Sequence, residues 1–137
     1  MLVDGRGVPL AAAVDGANVH DQKLLAPTLD GIPVSRPEPA PYHAQRLCLD
    51  KGYIGKPVEQ EVRKRGYIPH VPVKSRQQVT RHHRRGNARR WKVERTHSWL
   101  NRARRLLIRW EKKVANYFGF VHLQFAIVAL RTAGVLG

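Results

Sequence analysis

Residues 46–73 set a short apolar run, an amphipathic stretch and a second apolar run end to end: RLCLD, KPVEQEVRKRG and YIPHVPV. That order restricts the fold more than any other feature. RLCLD suits a buried strand ending in a carboxylate, with Cys48 as a small core residue. KPVEQEVRKRG has helical spacing and stops at Gly66, and the prolines of YIPHVPV place it at a sheet edge. Upstream, MLVDGRGVPLAAAV holds two more short apolar runs around Asp4-Gly5. Asp-Gly turns hairpins because both central residues adopt positive φ. Strands are expected near 1–3 and 8–14, then a short helix N-capped by Asp21 and ending at Gly31. The four prolines of GIPVSRPEPAPYH make the next segment a loop. Strands alternating with helices define an α/β class, a sheet covered by helices. At 137 residues the chain has room for a single domain, 1–137.

The last third reads differently. SRQQVTRHHRRGN is a polar, basic loop, and a helix starts near Ala88. Val93, Leu100, Ala103 and Leu107 form its apolar stripe; Asn87, Arg90, Glu94, Ser98 and Asn101 form a polar strip beside it. RRLLIRWEKK breaks or kinks the chain, and a final helix spans 114–131. Its segment FGFVHLQFAIVAL contains His122 and Gln124 and reads as a buried helix, not a membrane span. Trp91, Trp99 and Trp110 are expected to be mainly core residues, with stacking on a base as the alternative.

Charge is concentrated in one block. Residues 74–113 carry fifteen Lys or Arg against Glu94 and Glu111 alone, in a chain whose net charge is +15. So dense and one-signed a block repels itself without a counter-charge, which points to nucleic acid. A lone cysteine excludes a disulfide framework and fits a reducing compartment. The N-terminus has no basic region followed by an apolar block, so it is not a secretory signal. His82 and His83 lack the second ligand cluster that zinc needs.

Two carboxylates stand where chemistry is plausible. Asp50 ends a buried strand, the rim at which open α/β sheets bind ligands. Glu94 lies among cations on a helix. Each has a plainer reading: Asp50 as part of a strand-to-loop turn, and Glu94 as an ion-pair partner of Arg90 at i−4.

LVDGRGVPLAAAVDGANVHD, then LDKGY, then RRWKVERTHSWLNRARRLLIRWEKK resemble the DDE transposases of bacterial insertion sequences, in order and along nearly the whole chain. The match is to the group with a Y-x2-R-x3-E-x6-K signature. Arg90 and Glu94 fit it, whereas Asn87 and Asn101 hold its Tyr and Lys positions. The resemblance implies a ribonuclease-H-like fold, a mixed sheet flanked by helices. It also implies that Asp50 and Glu94 are catalytic metal ligands, with Mg²⁺ or Mn²⁺ expected only once the family's first catalytic Asp is supplied. The substrate implied is DNA, both insertion-sequence ends and target. Arg85, Arg89, Arg90, Lys92, Arg95, Arg102 and Arg105 are the candidate DNA contacts.

The family's first catalytic Asp lies on the strand before the opening hairpin, where this sequence has no residue. The fold is therefore expected to be incomplete at its N-terminus, and the chain inactive alone. The upstream-frame transposase product or a homo-oligomer is the expected partner, in the bacterial cytoplasm beside the nucleoid. The competing readings are a non-catalytic DNA-binding remnant or regulator, and a basic RNA-binding protein. The RNA-binding reading leaves LDKGY together with WKVERT unexplained.

Overall fold

The computed structural model describes residues 1–40, 42–71 and 91–136. Two short strands open the chain, β1 (Leu2–Val3) and β2 (Pro9–Ala11), paired antiparallel with a register shift between Leu2 and Val3. The turn between them is wider than a two-residue Asp-Gly turn. Asp4 Oδ1 accepts from the backbone N–H of Arg6 at 2.7 Å and of Val8 at 2.8 Å. The positive φ falls on Gly7, at 87°, and not on Gly5. One carboxylate satisfying two turn amides takes over the role expected of a type I′ geometry.

A single 3-10 turn (Asp21–Leu24) leads into α1 (Leu25–Asp30), which ends at Gly31. The 3-10 turn is N-capped by His20, whose Nδ1 accepts from Gln22 N at 3.3 Å, and not by Asp21 as the sequence suggests. β3 (Arg46–Cys48) runs parallel to β4 (Ile68–His70), and α2 (Lys56–Lys64) is the crossover between them. A parallel pair cannot be joined by a tight turn, so a helix in between is the economical connection. Gly66 ends α2 at φ 75°, and a Cβ there would lie 3.1 Å from Arg36 Nη2 and 3.2 Å from Pro39 Cγ. This glycine is required both for conformation and for space.

Leu25, Leu29, Leu47, Leu49, Val58 and Val62 form the main core, with Leu2, Tyr53, Tyr67 and Val71 packed against it. Burying each aliphatic side chain contributes roughly 1.5–3 kcal/mol. Alternation along β3 sends Leu47 and Leu49 inward and leaves Arg46 and Cys48 exposed. Cys48 is therefore a surface thiol and not the core residue expected, because the strand has one buried face.

Three helices follow: α3 (Trp91–Asn101), α4 (Arg104–Leu107) and α5 (Val114–Thr132). The chain breaks at Arg102–Ala103, so the apolar stripe does not continue: Leu100 is buried but Leu107 is 61% exposed. Leu100, Val121 and Phe125 make a second core, joined by Met1, Ala12, Leu106, Tyr117 and Phe118. Only one face of α5 packs there, whereas Leu123 and Leu130 are exposed. The helix is thus half-covered, not buried all round as its composition suggests. By length and composition alone it is long and apolar enough to cross a membrane.

The α/β class is present. Among the described residues the antiparallel and parallel pairs form two separate two-stranded sheets, whereas the resemblance implies one mixed sheet.

Candidate active site and nucleic-acid interface

Asp50 lies two residues past β3, at the C-terminal end of the parallel pair. Its Oδ1 accepts from Lys51 N at 2.5 Å, and its backbone carbonyl accepts from Tyr53 N at 3.0 Å. The carboxylate thus N-caps the 3-10 turn Lys51–Tyr53 and stays exposed on the rim. Two neighbours brace that turn. Gln22 Nε2 donates to Gly52 O at 2.6 Å, and Tyr53 OH reaches the carbonyl of Asp21 at 3.4 Å. Burial, and then the negative charges of Asp21 and Asp50, hold the Tyr53 phenol above its ordinary pKa. Tyr53 and Gln22 were given no role by the sequence reading; the Tyr of LDKGY was the available signal.

Glu94 is exposed in the first turn of α3. The opposite side of this helix grips the β1–β2 turn. Lys92 Nζ donates to Gly5 O, Arg95 Nη2 donates to Arg6 O, and Thr96 Oγ1 donates to Gly7 O at 2.6 Å. Thr96 is wholly buried. The Arg95 guanidinium lies 4.8 Å from the ring centroids of both Trp91 and Trp99. His97, one turn beyond Glu94, is held below its ordinary pKa by burial and by the Met1 ammonium.

β1 links the two carboxylate-bearing regions. It touches α3 on one side, and its Leu2 packs against the β3–β4 core on the other. Among the described residues, however, no three His, Cys, Asp or Glu side chains come together closely enough to hold a metal ion.

The candidate DNA contacts divide into three groups. Arg85, Arg89 and Arg90 lie outside the described residues, as do Asn87, His82 and His83. Lys92 and Arg95 are turned onto backbone carbonyls of the hairpin. Arg102 and Arg105 are exposed, although Arg105 pairs with Glu111 at 3.1 Å and lies over the ring of Phe120. Trp91 and Trp110 are 53% and 74% exposed, so these two are surface rings and not the core residues expected. Around Trp91 the reason is visible: its face is occupied by Arg95, and a charged guanidinium keeps that cluster near water.

A strand-end carboxylate and a second carboxylate on a basic helix stand on an α/β core, and the comparisons say which family this chain shares. The family described as Transposase DDE domain matches residues 1–129, and the chain belongs to that family of transposases. Over 134 residues it is 37% identical to the Burkholderia cepacia protein named "Putative transposase for insertion sequence element IS402", covering 96% of this chain and 62% of that protein. The chain therefore spans less than two-thirds of this relative's length. No solved structure matches.

Proposed function

We propose that this chain is the C-terminal part of a ribonuclease-H-like catalytic domain that cuts and joins DNA during insertion-sequence transposition. The observation that carries the reading is the family match over residues 1–129, which includes both Asp50 at the strand rim and Glu94 on α3. Their carboxylate oxygens suit a hard divalent cation such as Mg²⁺ or Mn²⁺. Held there by Asp50 and Glu94, such a cation would supply Lewis-acid activation of a water or 3′-hydroxyl and charge stabilisation at the leaving oxygen. Asp50 and Glu94 supply two of the three acidic ligands. Of the other described aspartates, Asp4 caps the hairpin turn, Asp15 accepts from Gly16 N, Asp30 pairs with Arg65, and Asp21 lies near Tyr53 in the 3-10 turn before α1. A further strand carrying the third Asp, seated between β1 and β3, would join the two strand pairs into one mixed sheet.

The basic side chains neutralise DNA phosphates and hold the duplex against the rim, giving binding without base specificity. The reaction takes place in the bacterial cytoplasm, with the upstream-frame product or a second copy completing the site. By themselves the 137 residues bind DNA and do not cut it. The experiment is to extend the chain at its N-terminus with the strand-bearing region of the IS402 relative and assay strand cleavage with Mg²⁺. Metal-dependent cleavage that disappears in Asp50→Asn and in Glu94→Gln is the expected result. Cleavage that survives both substitutions refutes the assignment. If the extended chain binds DNA but never cuts it, the non-catalytic regulator is the better reading.

A further inference from the structure

We infer that Lys92, Arg95 and Thr96 are not phosphate contacts but a latch that fixes the rotation of α3, and with it the direction in which Glu94 points. The consequence for Glu94 rests on the function proposed above; the latch itself does not.

Three consecutive carbonyls of the β1–β2 turn, those of Gly5, Arg6 and Gly7, each accept from a different α3 side chain. These donors come from sequence positions nearly ninety residues away. At about 100° per residue, Lys92, Arg95 and Thr96 share one face of the helix, and Glu94 projects from the flank away from Thr96. Bonds at three points along one face leave the helix no freedom to turn about its axis. The hairpin thus sets where Glu94 points.

Arg95 is built for this role rather than for DNA. Its guanidinium is held between two indole rings, and its Nε is buried without a hydrogen-bond partner among the described residues. A guanidinium in such a slot has its direction fixed by ring contacts, and its Nη2 is spent on Arg6 O. The turn is shaped to match. A Cβ on Gly7 would come within 2.7 Å of Arg95 Nη2, and φ 87° already disfavours any side chain there. Thr96 Oγ1 also lies 2.9 Å from Lys92 O. With one proton, the hydroxyl ties the turn and the helix backbone through a shared bond.

Spin labels on the native surface Cys48, two residues before Asp50, and on Ser98→Cys, one turn beyond Glu94, report the placement of α3 against the rim. Pulsed dipolar spectroscopy on the full chain gives the distance distribution. Thr96→Val and Arg95→Lys are expected to shift it by a few ångströms or broaden it while circular dichroism keeps its helical signal. Thr96→Ser, which restores the hydroxyl, is expected to return it to the parent distribution. An unchanged distribution in Thr96→Val and Arg95→Lys overturns the latch, as does a Thr96→Ser chain as disturbed as Thr96→Val. Where Thr96→Val does not fold, Arg95→Gln decides through DNA binding. A latch leaves the salt dependence of affinity unchanged, whereas a phosphate contact lowers the slope by about one. Separately, Mn²⁺ binding to the N-terminally extended chain described above, followed by electron paramagnetic resonance, tests Glu94. If Glu94→Gln leaves Mn²⁺ affinity intact, the ligand assignment fails while the distance result stands.

Discussion

Thr96 donates its hydroxyl to the carbonyl of Gly7 at 2.6 Å, across 89 residues of sequence, with both residues buried. Thr96→Val keeps the shape and removes the donor, leaving the Gly7 carbonyl unpaired in a dry setting. The expected cost is about 1–3 kcal/mol, because a buried acceptor without a partner loses its full desolvation compensation. Urea denaturation of the two chains measures it, and Thr96→Ser should recover most of the loss.

Gly7→Ala attacks the same joint from the other side. The residue sits at φ 87°, and the new methyl would meet Arg95 Nη2 at 2.7 Å. Backbone strain alone costs about 1–3 kcal/mol, and the clash adds to it. Because both changes break one joint, Gly7→Ala combined with Thr96→Val should cost less than the two separate losses together. Strict additivity in denaturation would separate the turn from the helix.

The order of elements was legible because period and punctuation act locally. KPVEQEVRKRG gave α2 and its stop at Gly66, and the α/β class followed from alternation. What the sequence could not show is how far each element reaches and which face it covers. Cys48 looks buried in RLCL, yet strand alternation turns it outward. Trp91 looks like core, yet its ring faces a guanidinium supplied one turn later. The basic residues of α3 read as a uniform DNA-binding surface, but only long-range contact with the hairpin distinguishes Lys92 and Arg95 from Arg102. Asp50 and Glu94 were singled out by the family motif alone; composition and spacing left each with a plainer reading.

Asp30 and Arg65 form a two-point ion pair, Nε–Oδ1 at 2.7 Å and Nη2–Oδ2 at 2.8 Å, with Glu61 on the same guanidinium. The hydrogen bond from Arg65 holds the Asp30 carboxyl below its ordinary 3.8. A depressed carboxyl pKa stabilises the fold above the unfolded value. That contribution is lost as pH falls below 3.8 and through the folded pKa. Thermal melts between neutral and strongly acidic pH should show this loss in the parent chain and a shallower acid limb in Asp30→Asn. Because the pair is exposed, high salt should reduce the difference.

Arg102 is exposed just past the end of α3, outside the latch. Arg102→Ala should weaken binding to duplex DNA similarly for unrelated sequences and lower the slope of log affinity against log salt by about one. Fluorescence anisotropy at several salt concentrations measures this. A slope unaltered in Arg102→Ala would remove this residue from the interface.

Glu111 shows that not every arginine in the basic block is available to DNA. Its side chain is 8% exposed, its Oε1 pairs with Arg105 at 3.1 Å, and its buried Oε2 has no hydrogen-bond partner among the described residues. Removing the guanidinium would leave a nearly buried carboxylate without its cation. The Arg105 side chain is itself 66% exposed, so solvent screens much of the attraction and the loss should be about 1 kcal/mol. Replacing both groups with Met removes the carboxylate that needs compensation, and apolar replacements of ion pairs are often neutral or stabilising. Chemical denaturation should therefore rank Arg105→Ala below the double variant Arg105→Met, Glu111→Met. The opposite ranking would mean that the pair itself holds α4 to the segment before α5. In DNA binding, Arg105→Ala should change the salt slope less than Arg102→Ala, because Glu111 already neutralises part of its charge.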